Sequence, residues 1–151
     1  MIGYPYSESD FRQASLAIRP YADLTWFGID SVNCLAVFIS AGFGPIPIKA
    51  LADPVVHKHI YTDIFQCGPS ENRDIIELSK ELGCYVFDWL GHGGELAATV
   101  PYTKIYSPSS CYSIDRKTFV GNGILVSFDG RFSNMDSVLI RDLNLPLNVK
   151  V

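Results

Sequence analysis

Basic residues are scarce in this chain, and they are scattered. Twelve Lys and Arg stand against 16 Asp and Glu in 151 residues, giving a net charge of −4. A nucleic-acid binder needs clustered cations to neutralise phosphates. The closest such pairing is Arg116-Lys117, which is no patch. DNA and RNA are therefore excluded as expected partners. Mild acidity keeps a protein soluble, and it also steers association with a basic protein.

Cysteine is sparse too, with Cys34, Cys67, Cys84 and Cys111 and no C-x-x-C pair. A chain of this length supports a core without disulfides. Cys34 and Cys84 fall inside apolar, strand-like runs, where a thiol packs as a small hydrophobe. Reduced thiols in a cytoplasm are the expectation. The first ten residues hold Glu8 and Asp10 and no basic, apolar leader pattern. The longest uncharged run, Ser31 to Ile48, is broken by Asn33, Gly42, Gly44, Pro45 and Pro47. It reads as a strand and a turn, so no membrane span is expected.

Catalytic signatures are missing as well. Ser40-Ala-Gly-Phe-Gly has neither the nucleophile-elbow frame nor the lysine of a phosphate loop. His57 and His59 form an H-x-H pair near Cys67 and His92. On a helix, residues two apart point in nearly opposite directions, so the pair would not grip one ion. No metal and no cofactor are expected. Cys67 or Cys111 with His57 or His92 would make a thiol nucleophile only if the fold assembled them.

What is present is apolar and aromatic: 48% hydrophobic residues and 13% aromatic. Ser7 with Asp10 three residues on resembles a capping box, followed by Phe11, Ala14 and Ile18 on one helical face. Leu24 to Ile29 and Cys34 to Ser40 predict a hairpin whose second strand is apolar on both faces, hence central. Asp53-Pro54 predicts a second helix carrying Val56, Ile60 and Ile64. Ser70 predicts a third, with Ile75, Leu78 and Leu82 inward and Gly83 as its left-handed cap. Tyr85 to Leu90, Tyr102 to Tyr106 as a short edge strand, and Ile124 to Phe128 complete the strand series. Asp129-Gly130 signals a hairpin turn returning a partner strand from Arg131, with Val138 to Ile140 closing the sheet. Helices and strands come in runs, which predicts one α+β domain over residues 1–151, with a mixed or mainly antiparallel sheet and about three helices.

Asp88, Trp89, His92 and Glu95 cluster within eight residues, interleaved with Gly91, Gly93 and Gly94, which predict an exposed loop. Tryptophan is a frequent interface anchor, so these four are the candidate partner-binding residues. An ordinary solvated connection is the plainer account of the same residues. They also suit an alternative, a small hydrolase or transferase with a Cys/His or Asp/His/Glu site. A structural homodimer, pairing through the apolar end Leu143-Asn-Leu-Pro-Leu-Asn-Val, is a further alternative.

Trp26-Phe-Gly-Ile-Asp, and then Ala36-Val-Phe-Ile-Ser-Ala-Gly-Phe-Gly-Pro-Ile-Pro, resemble a group of small uncharacterised bacterial proteins. Tyr85-Val-Phe-Asp-Trp and Pro101-Tyr-Thr-Lys-Ile-Tyr-Ser-Pro-Ser-Ser share that pattern. The shared segments are strand and turn signatures. In size and acidity the group resembles the immunity proteins of bacterial toxin systems. The resemblance implies a non-catalytic role in neutralising a partner by binding it, and it assigns no functional residue; with the reduced cysteines and the acidic charge, the expectation is a cytoplasmic binder of a basic toxin.

Overall fold

A computed structural model describes residues 7–15, 24–52, 60, 64–65, 75–91, 100–115 and 125–140. Helix α1 (Glu8–Ser15) starts at the predicted capping box. The Asp10 carboxylate accepts from Ser7 N at 2.7 Å, and Ser7 Oγ accepts from Asp10 N at 3.2 Å. Phe11 and Ala14 are buried; Ile18 and the expected Arg19-Pro20 stop lie outside the described residues. Strands β1 (Thr25–Ile29) and β2 (Leu35–Ile39) form the predicted hairpin, Trp26 facing Phe38 across it. Helix α2 (Ile48–Ala52) precedes the predicted start at Asp53, which lies outside the described residues. The Pro47 carbonyl accepts from Ala50 N and Leu51 N, so the turn after Gly44-Pro45 already opens a helix. Helix α3 (Ile75–Leu82) ends at Gly83, whose φ of 89° is the predicted left-handed cap. Ser79 O accepts from both Gly83 N and Cys84 N there.

Strands β3 (Tyr85–Trp89) and β4 (Tyr102–Tyr106) follow, then β5 (Val126–Ser127) and β6 (Ser137–Val138). The sheet order is β5-β1-β2-β3-β4-β6. Pairing is parallel for β1–β5 and β2–β3 and antiparallel for the rest, so the fold is α+β with a mixed, curled sheet. Strand β2 is central and buried on both faces, as its composition predicts. Strand β4 was expected at the edge, but β6 lies beyond it. Among the described residues, no helix is long and apolar enough to cross a membrane.

The hairpin predicted at Asp129-Gly130 does not form. Strands β5 and β6 lie at opposite edges of the sheet, and residues 128–136 cross one face between them as a strap. Its middle is a 3-10 turn (Phe132–Asn134) in place of a returning strand. The reason is a better set of partners on the sheet. Gly28 and Ala36 are neighbours in register and leave a shallow notch on this face. The Phe128 ring sits over Gly28 and stacks on Phe38, centroids 5.4 Å apart. Phe132 is fully buried against Tyr85, Phe87 and Phe128. Lys104, in register with Phe87, donates from Nζ to Phe132 O at 3.0 Å.

Asp30 locks the strap down. Its carboxylate is 1% exposed and accepts from Val32 N, Cys34 N and Phe132 N at 3.0, 2.9 and 2.9 Å. Gly130 O accepts from Ser31 N at 3.1 Å beside it. The other end of the same face is closed by the Gly44-Pro45 turn. Trp26 Nε1 donates to Tyr102 OH, which donates to Pro45 O. The opposite face is covered by Leu78 of α3 with Ile60, Phe65 and Ile114.

Asp30→Ala strips a buried acceptor from three N–H groups, each worth about 1–3 kcal/mol when left unsatisfied. Urea unfolding is expected to show a loss of about 3–5 kcal/mol; a loss below about 1 kcal/mol would remove Asp30 from its role. A second test concerns the notch. A Cβ on Gly28 would come 2.7 Å from Phe128 Cε2. Gly28→Ala is expected to cost about 1–3 kcal/mol, and clearly less in a Phe128→Leu background. Additive losses in that double-mutant cycle would contradict the notch.

Candidate functional site

The four residues singled out in the sequence do not meet in one described site. Asp88 and Trp89 sit on β3, while His92 and Glu95 lie outside the described residues. Alternation along β3 turns Tyr85, Phe87 and Trp89 to the strap-bearing face and Asp88 to the other. Trp89 is 2% exposed, and its Nε1 donates to Val100 O at 3.1 Å. A Cβ at Gly44 or Gly91 would come within 2.8 or 2.5 Å of its ring or stem. The ring expected to anchor a partner is thus enclosed by its own chain, and both glycines are required for that. The period-two run Tyr85, Phe87, Trp89 is the sequence signal for it.

The exposed apolar residue here is the next one, Leu90, at 59%. Trp89 pairs with Tyr102, and Tyr102 with Val138. Continuing this register one residue beyond the strand ends brings Leu90, Pro101 and Leu139 next, and alternation turns them to the face that Asp88 shares. Leu139 is 39% exposed and Pro101 half-buried. The adjoining row on that face is polar: Asp88 and Thr103, in register, then Ser137, in register with Thr103. Asp88 and Thr103 are half-buried and Ser137 exposed. The result is an apolar row beside a polar row at the β3–β4–β6 end of the sheet. Sequence reasoning placed Asp88 here and missed both leucines.

The cysteines differ from expectation. Cys34 and Cys111, read as reduced thiols, are joined in a disulfide. Backbone pairing brings them together: Cys34 bridges to Ser113, Leu35 N donates to Tyr112 O, and Ile114 N to Asn33 O. In the bonded state Cys111 offers no thiolate to a Cys/His site. Cys67, His57 and His92, the other residues of such a site, lie outside the described residues, as does His59. Among the described residues, no group of three or more His, Cys, Asp and Glu could hold a metal ion.

Cys84 is a free thiol, buried at the start of β3. Burial disfavours the thiolate and pushes its pKa from 9.0 to about 12. Between these values the folded state holds a proton that the unfolded state has lost. The stabilising contribution is therefore complete below pH 9.0 and lost as pH rises towards about 12. In unfolding titrations, the stability lead of the wild type over Cys84→Ala is expected to shrink as pH passes 9.0. A lead that stays constant would contradict the burial effect.

Set beside known protein families, curated proteins and solved structures, the chain matches none of them.

Proposed function

We propose that the protein is a non-catalytic protein-binding module that uses the β3–β4–β6 end of its sheet as contact surface. The carrying observation is the exposed row of Leu90 and Leu139 flanking Pro101, with the polar row of Asp88, Thr103 and Ser137 alongside. An apolar centre with a polar border is how protein interfaces are built. Fully burying a leucine contributes about 1.5–3 kcal/mol, and Leu90 has more than half of its surface left to bury. The sheet is tied across its face by the strap, so the surface is held before a partner arrives and little ordering is needed on binding.

The partner of this reading is a basic protein, favoured by the net charge of −4. The resemblance to immunity proteins narrows it to a bacterial toxin neutralised in a stoichiometric complex. The cytoplasm expected for such a protein rested on reduced cysteines, and the Cys34–Cys111 bond withdraws that support.

Affinity purification from the producing cell, with mass spectrometry, is expected to recover one basic protein in equal amount. Leu90→Asp and Leu139→Asp are each expected to weaken that complex at least about tenfold, or about 1.4 kcal/mol, with thermal stability unchanged. Full binding by both variants would move the interface elsewhere. Recovery of the protein alone, as a monomer, would refute the reading; recovery as a homodimer sensitive to the same substitutions would replace it with self-association.

A further inference from the structure

We infer that Cys34–Cys111 is a permanent structural cross-link of the mature protein, and that the chain acquires it and works in an oxidising compartment. The argument starts from the backbone. The segment around Cys111 is an added antiparallel piece laid against the start of β2 and the α3–β3 junction. Leu35 N donates to Tyr112 O at 2.9 Å, Tyr112 N to Gly83 O at 2.8 Å, and Ile114 N to Asn33 O at 3.0 Å. Ile114 is buried at 6% exposure. Cys34 N is itself held by the Asp30 carboxylate. These bonds set the two Cα atoms 5.7 Å apart, within the ordinary span of a disulfide. Two thiols placed together by the fold meet as if at high concentration, which favours their oxidation and resists reduction.

The surroundings favour a static bond over a switch. Exchangeable disulfides are exposed and stand near a resolving thiol. Cys34 is 5% exposed and Cys111 half-buried, so one side of the bond is enclosed. Cys84 packs with Leu35 and Val86 on one side of the sheet, while Cys34 packs with Ala36 and Phe38 on the other. The sheet therefore stands between the bond and Cys84, the free thiol among the described residues. In forming the bond, the two thiols release two protons and two electrons. A disulfide-bearing oxidant accepts them and becomes a dithiol. Such oxidants act outside the reducing cytosol, where glutathione keeps ordinary pairs apart.

The test uses the chain in its producing cell. Intact cells are quenched with acid and free thiols blocked with N-ethylmaleimide; the protein is then unfolded, reduced and labelled with iodoacetamide. Peptide mass spectrometry is expected to find the second label on most of Cys34 and Cys111 and the first on Cys84. The first label on most of Cys34 and Cys111 would overturn the inference. Purified oxidised protein is also expected to keep the bond in millimolar reduced glutathione under native conditions; rapid reduction without unfolding would make the pair a switch. Neither outcome touches the leucine surface, which is judged by partner binding alone.

Discussion

The fold depends on one buried carboxylate. Removing Asp30 from water carries a desolvation cost of several kcal/mol, which is offset only where its oxygens are fully engaged. Here they collect two N–H groups from the β1–β2 turn and one from Phe132, 102 positions later. The turn and the strap are thus two halves of one anion-binding nest. Because the strap joins β5 to β6, the same contact ties the two outermost strands together. Both are two residues long, too short to offer an open edge to another chain.

The strap in turn accounts for the pattern of large and small side chains beneath it. Trp26, Phe38 and Phe87 form a continuous aromatic row across β1, β2 and β3, with stacked centroids 4.0 and 4.9 Å apart. The adjacent row holds Gly28 and Ala36, and the strap supplies the two rings that this row lacks. Such pairs contribute about 0.5–1.5 kcal/mol each beyond the area they bury. Lys104 finishes the aromatic row with a cation that holds the strap's carbonyl. Polar groups on this face, the indole N–H of Trp26, the Tyr102 hydroxyl and the Asp30 carboxylate, are all engaged in holding backbone or neighbouring rings.

Sequence reasoning succeeded where the determining contacts are local. The Ser7–Asp10 capping box, the Gly83 cap, the β1–β2 hairpin and the centrality of β2 are each set within a few residues. It failed where the deciding partner is distant. Asp129-Gly130 carries a strong turn signal, yet Asp30 and the Gly28 notch lie about a hundred positions upstream and outcompete the hairpin. Cys34 and Cys111 are 77 positions apart, and nothing near either one announces the other. The candidate site was half legible for the same reason. Asp88 lies on the proposed surface, but Trp89 turns inward because Gly44, from another turn, closes over it. Leu90 and Leu139 come to either side of Pro101 only through the β3–β4–β6 register.

That register separates the leucine row from ordinary surface hydrophobicity. Val32, also exposed, stands in the β1–β2 turn, and a single exposed apolar side chain needs no explanation. Leu90, Pro101 and Leu139 each adjoin a paired residue, Trp89 of β3, Tyr102 of β4 and Val138 of β6, where neighbouring strands run about 5 Å apart. Their backbones are held from behind by Trp89, Tyr102 and Val138, each buried on the opposite face. Beside this apolar area runs the polar row, where Asp88 is half-buried and in register with Thr103.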